Sequence, residues 1–121
     1  MIVLKFGGSS VDSPQKIKTI GEIVKDELPR NPILVISALS GITSELSSLG
    51  EHAYTGNNKS TDYIVQRHKQ LIDSLWISLS LEPELNELYA SLKMTTLPKL
   101  QYIDQVMSFG ERLAVKIIAT Y

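Results

Sequence analysis

Two short apolar runs constrain this chain more than any other feature. Ile2-Val3-Leu4 continues through Lys5 to Phe6 and stops at Gly7-Gly8, and Ile33-Leu34-Val35-Ile36 stops at Ser37-Ala38. Both are rich in β-branched residues, and each is too short for a buried helix, so they read as strands. Between them Ile17, Ile20, Ile23, Val24 and Leu28 recur at helical spacing, with Lys16, Lys18, Glu22, Lys25 and Asp26 largely on the other side. Ser13-Pro14 supplies an N-cap and a first-turn proline, while Pro29 and Pro32 close the helix. Strand, helix and strand with short loops predict a βαβ unit with parallel strands and a right-handed crossover. Near-continuous apolar strands of this kind are expected to be covered on both faces, yet no third strand is evident.

Beyond the second strand the pattern is almost wholly helical. A helix is expected over about Ile42–Tyr54, with Leu46, Leu49 and Ala53 inward, ending at Thr55-Gly56-Asn57-Asn58. Ser60 to Asp62 cap the next helix, which carries Tyr63, Ile64, His68, Leu71, Ile72, Leu75 and Trp76. Glu82-Pro83 opens another with Leu85, Leu88, Tyr89 and Leu92. Thr96-Leu97-Pro98 opens a third with Leu100, Ile103, Val106 and Met107 on one side, and Leu113, Ala114, Ile117, Ile118 and Tyr121 follow in the last. Trp76 and the tyrosines are read as core residues. A chain ending inside so apolar a helix looks cut from something longer.

Composition excludes several classes of function. With no cysteine, thiolate nucleophiles, disulfides and zinc–thiolate sites are ruled out. A net charge of −1 gives no reason to expect nucleic acid or an anionic membrane surface. The amino terminus lacks the pattern of a signal peptide and no run reaches membrane-spanning length, so a cytoplasmic protein is expected. Hydrophobic content of 43% in 121 residues allows one domain with a real core.

The residues able to do chemistry cluster at strand ends. Lys5-Phe6-Gly7-Gly8-Ser9-Ser10-Val11 joins a strand to small hydroxyl residues and a helix start, the arrangement that aims backbone N–H groups at an anion. It reads equally as an ordinary tight turn beside a surface lysine. Ser37-Ala38-Leu39-Ser40-Gly41-Ile42-Thr43 repeats the theme at the end of the second strand, the edge where open α/β sheets bind ligands. Ser108-x-x-Glu111 fits a capping box, although a ligand-binding glutamate would look the same. No Gly-Lys-Ser/Thr phosphate loop occurs. His52 and His68 read as surface or structural residues, and no metal ligand set is apparent.

These three segments, in this order and with a helical block before the last, closely resemble the amino-terminal part of the aspartokinases, within the amino acid kinase family. The resemblance spans essentially residues 1–121. It implies an α/β fold, an amino acid kinase-like three-layer α/β/α sandwich with a parallel βαβ start and a mostly helical second half. It also implies transfer of the ATP γ-phosphoryl to the side-chain carboxylate of L-aspartate, giving 4-phospho-L-aspartate on the route to lysine, threonine and methionine. Lys5 would then stabilise charge on the transferring group and act as the catalytic residue. Gly7, Gly8, Ser9 and Ser37 would meet the ATP phosphates. Ser37, Thr43 and Glu111 would bind aspartate, the glutamate facing the α-ammonium, and Mg²⁺ would arrive with ATP. Ser9 stands where the family commonly has threonine. The family's adenine-binding segment, a further aspartate-binding arginine and its regulatory domains have no counterpart here. The 121 residues are therefore expected to be inactive alone and to form a homo-oligomer through exposed apolar faces. The alternatives are a non-catalytic α/β binding or association module and an amino acid kinase with another acceptor.

Overall fold

The computed structural model describes all residues from Met1 to Tyr121. Strand β1 spans Ile2–Phe6 and β2 Pro32–Ile36, paired in parallel with Ile2 opposite Pro32 and Phe6 opposite Ile36. Helix α1, Pro14–Glu27, lies between them in the chain; α2 Ile42–Tyr54, α3 Asp62–Ser74, α4 Glu82–Leu92, α5 Lys99–Met107 and α6 Phe109–Thr120 follow. Ser13 caps α1 as expected, its Oγ accepting from the Lys16 N–H at 3.3 Å, and Pro14 occupies the first turn, where its missing N–H costs nothing. Pro29 lies in a short 3-10 turn, Leu28–Arg30, and Asn31 then takes a left-handed conformation at φ 51° that redirects the chain into β2.

The sheet stays two-stranded, and its faces differ. Leu4, Phe6, Leu34 and Ile36 turn toward α1 and α6, whereas Val3, Ile33 and Val35 are 62%, 49% and 45% exposed. Within these residues only the face of Leu4, Phe6, Leu34 and Ile36 is covered, and the parallel βαβ start with a mostly helical remainder is as expected. Lys5 belongs to the open face, because strand side chains alternate and Phe6 points inward.

Helix α6 is the hub of the helical part. Leu113, Ala114 and Ile117 are fully buried, and the helix touches α2, α3, α4, α5 and β2. Truncating such a leucine to alanine costs about 2–5 kcal/mol, so this one helix carries a large share of the stability of so small a domain. Around it Ile42, Leu46 and Leu49 from α2, Ile64 and Leu71 from α3, Leu88 from α4, and Tyr102 and Val106 from α5 complete the core. Tyr102 can be buried because its hydroxyl donates to the Leu92 carbonyl at 2.8 Å.

Three sequence expectations fail for local reasons. Trp76 is 95% exposed, because α3 has ended by then and a left-handed φ of 56° swings the side chain off the apolar face. Tyr63, Tyr89 and Tyr121 are also exposed; among the tyrosines only Tyr102 is fully buried. Leu100 is 81% exposed, since Tyr102 and Val106 define the buried face of α5 and Leu100 falls outside it. The capping box at Ser108 does not form: Ser108 is itself helical, and its Oγ donates to the Gln105 carbonyl at 2.6 Å, so α5 runs almost directly into α6.

His68 is structural, as expected, and 1% exposed on α3. Its Nδ1 lies 2.6 Å from the Ile64 carbonyl, so that nitrogen carries the proton and donates, while Nε2 has no partner. Burial pushes its pKa below the ordinary 6.5; the bond to Ile64 opposes this, and the neighbouring Arg67 charge adds to it. The folded state thus keeps the ring neutral while the unfolded chain takes up a proton. Stability should be full above pH 6.5 and fall below it, until the folded-state pKa is reached. Thermal melts between pH 7.5 and 5 should lose, in His68→Leu, the part of this decline due to the ring; an unchanged pH dependence would contradict it.

Candidate functional site

Both strands end at the same sheet edge, and the turns that follow them are pressed together. The Ser37 N–H donates to the Phe6 carbonyl at 3.1 Å, extending the pairing just past β2. Gly7 is extended, and Gly8–Ser10 make one 3-10 turn with Ser10 N–H donating to the Gly7 carbonyl at 3.0 Å. The first N–H groups of such a turn find no partner within it and are available to a ligand.

Glycine makes the convergence possible. A Cβ on Gly8 would lie 2.8 Å from the Ala38 carbonyl oxygen, a backbone atom that cannot move aside cheaply. On the other side, a Cβ on Gly110 would lie 2.8 Å from the Ala38 Cβ and 3.3 Å from Leu46 Cδ1. Ala38 is buried between these two approaches. The first turn, the loop after β2 and the start of α6 therefore meet at one point, although they are far apart in the chain.

The residues singled out from the sequence belong to these three segments or, for Lys5, to the strand that leads into the first of them. Gly7 and Ser9 are exposed, and Gly8 and Ser37 are half-buried. Thr43 is exposed in the first turn of α2, whose N-cap Gly41 has φ 84° and offers no side-chain cap. Glu111 is exposed in the first turn of α6. Lys5 and Glu111 take part in none of the ion pairs, which instead join Lys16 to Asp12, Lys59 to Glu45, Lys99 to Glu51, Lys116 to Glu84, Arg30 to Glu27 and Arg112 to Glu87. The candidate ammonium and carboxylate are thus both unpaired.

The largest clefts lie elsewhere. One of about 420 Å³ runs between α3 and α4, away from every candidate residue. Another of about 380 Å³ adjoins Ser9 and Ser10 but lies on the α1 side of the sheet, opposite to Lys5. The candidate groups share an edge of the fold without enclosing a pocket.

One residue at this edge escapes a reading of the sequence. Arg67, on α3, donates from Nη1 to the Ser40 carbonyl and to the Tyr63 hydroxyl, both at 3.0 Å. The only trace in the sequence is the four-residue spacing of Tyr63 and Arg67, which any solvated helix face shows.

The chain is similar to known proteins along its whole length. The sequence profile described as the amino acid kinase family matches residues 1–121. Aspartokinase 2, chloroplastic, of Arabidopsis thaliana is 30% identical over 98% of this chain and 24% of its own length. The aspartokinase of Chlamydia muridarum is 30% identical over 99% of this chain and 27% of its own. The chain thus spans about a quarter of the length of the curated relatives it matches. Among solved structures, Clostridium acetobutylicum aspartate kinase superimposes with a TM-score of 0.84 at 24% identity, covering 100% of this chain and 29% of that one. Escherichia coli aspartokinase III in complex with aspartate and ADP gives 0.68 at 20% identity, covering 99% and 28%.

The close approach at Ala38 has a direct consequence. Gly8→Ala should lower stability by about 1–3 kcal/mol, the usual cost of overpacking. Gly7→Ala, whose Cβ would meet nothing within 4 Å, should cost far less. Chemical denaturation of the two variants reads this directly, and equal stabilities would contradict the geometry. A family profile that runs from Met1 to Tyr121, and a fold shared with two solved kinases, lead to one conclusion: this chain belongs to the amino acid kinase family.

Proposed function

We propose that this chain forms the amino-terminal part of an aspartokinase catalytic domain, in which the ATP γ-phosphoryl passes to the side-chain carboxylate of L-aspartate. The observation that carries this reading is the meeting of three motif-bearing segments at Ala38, each presenting groups suited to one part of that reaction. Phosphoryl transfer asks a protein mainly to position the reactants and to stabilise spread negative charge. Lys5 supplies an unpaired cation, and the turn at Gly7, Gly8 and Ser9 supplies N–H and hydroxyl donors for phosphate oxygens. Ser37 stands where phosphate and acceptor would meet. Thr43 and Glu111 take the aspartate, the carboxylate of Glu111 pairing with its α-ammonium, which selects an amino acid over a plain dicarboxylate. The relatives' names and the aspartate and ADP bound to the Escherichia coli enzyme support the same assignment.

Mg²⁺ would enter with ATP on the nucleotide phosphates, as ATP chemistry implies. No helix is long and apolar enough to cross a membrane. In these 121 residues the resemblance finds neither the adenine-binding segment nor the further arginine of aspartokinases. Binding without turnover is the expected behaviour of the chain by itself.

Isothermal titration should detect weak binding of ATP with Mg²⁺ and of L-aspartate. Lys5→Met should weaken the nucleotide about tenfold and Glu111→Gln the amino acid about tenfold, the size expected for one charge-assisted contact. A folded chain that binds neither ligand would refute the site, and aspartate-dependent ADP release by the chain alone would refute its inactivity.

The open sheet face specifically favours a second reading, an association module. Val3, Ile33 and Val35 form an exposed apolar patch beside two unpaired strand edges. Sedimentation at micromolar concentrations should show reversible self-association that Val35→Lys removes; a monomer at all concentrations would count against it.

A further inference from the structure

Arg67 occupies an unusual place for a half-buried cation. It takes part in no ion pair, and Asp12, which lines the same cleft, pairs instead with Lys16 at 3.1 Å. Arg67 and Asp12 line the same small cleft of about 190 Å³ without bonding to each other. The guanidinium spends its Nη1 on the Ser40 carbonyl and the Tyr63 hydroxyl, each 3.0 Å away, with the Tyr63 ring 5.8 Å below its centre. The same two side chains back the next residue: a Cβ on Gly41 would lie 3.9 Å from the Tyr63 hydroxyl and 4.0 Å from Nη1.

The peptide held in this way is a weak point of the backbone. Gly41 has φ 84° and caps α2 without a side chain, so no side chain of its own holds the Ser40–Gly41 peptide plane. In a planar trans peptide the carbonyl and N–H point oppositely, so holding the Ser40 oxygen also fixes the direction of the Gly41 N–H. The Ser40–Gly41 peptide is the middle one of the four-residue turn closed by Ile42 N–H onto the Leu39 carbonyl at 3.0 Å, and the peptide after it supplies the Gly41 carbonyl that Glu45 N–H meets at 3.1 Å, so its orientation bears on both bonds. Between them stands Thr43.

We propose that Arg67 is a positioning residue for the substrate loop: from α3 it clamps the Ser40 carbonyl and so sets the start of α2, with Thr43, for the acceptor amino acid. The role given to Thr43 rests on the aspartate-binding reading above; the clamp itself does not. It also gives the helical block a function, since α3 reaches back across the fold to the edge where the two strands end.

Amide hydrogen exchange and L-aspartate titration on the wild-type chain, Arg67→Met, Arg67→Lys and Tyr63→Phe test this together. Arg67→Met should speed exchange at Ile42 and Glu45 about tenfold, the effect of losing one charge-assisted bond, and leave the core amides of Leu113 and Ile117 unchanged. It should weaken L-aspartate binding by a similar factor. Arg67→Lys, which keeps one charged donor, should recover most of both effects, and Tyr63→Phe should fall between. Unchanged exchange at Ile42 and Glu45 would overturn the clamp, as would equal acceleration at Leu113, which would mean a global loss of stability. If the wild-type chain binds no aspartate, the reading of the site falls and the exchange data still decide the clamp. If it binds and Arg67→Met binds equally well, the positioning role falls alone.

Discussion

The contact on which the rest depends is the passage of the Gly8 backbone against the Ala38 carbonyl. Two parallel strands bring their ends to one edge, but side chains would ordinarily keep the following turns apart. A residue without a Cβ at position 8 lets the first turn lie on the second, and Gly110 lets the last helix close on Ala38 from the other side. Once those backbones touch, three segments remote in the chain share one edge of the fold. The chemistry proposed for Lys5, Ser37, Thr43 and Glu111 is a consequence of that packing.

The helical remainder holds this arrangement from behind. Helix α6 carries Gly110 and Glu111 in its first turn and continues into Leu113, Ala114 and Ile117, its buried contacts with the other helices. The same helix therefore anchors the core and presents a candidate ligand. Helix α3 does something similar: Ile64, His68 and Leu71 are buried, while Arg67, at the border of that buried face, reaches the Ser40 carbonyl. Stability and site geometry are coupled through these two helices, because the residues that bury apolar surface also fix the direction of the polar ones.

Much of the fold was legible because its signals are local. Ser13-Pro14 marks the start of α1, Ile42 to Tyr54 bound α2, and Glu82-Pro83 opens α4, each from capping or breaking residues that act on their own neighbours. The failures involve partners that no local pattern reveals. Leu100 and Tyr102 are both apolar enough to face inward, and the Leu92 carbonyl decides in favour of the tyrosine. Ser108 and Glu111 have the spacing of a capping box, but the preceding helix continues through Ser108 and removes the need for a cap. At the site, the motif segments could be recognised in order, whereas the close approach at Ala38 and the reach of Arg67 across 27 residues required coordinates.

The central claim is that the Gly7–Ser9 turn, the Ser37–Thr43 loop and the start of α6 act as one ligand-receiving surface. Mapping amide chemical shifts of the labelled chain during addition of L-aspartate, then of ATP with Mg²⁺, examines it most directly. The account predicts that aspartate perturbs Ser37, Thr43 and Glu111 together, and that nucleotide perturbs Gly7, Gly8 and Ser9 in the same protein. Shifts confined to the cleft between α3 and α4, or to only one of the three segments, would contradict it.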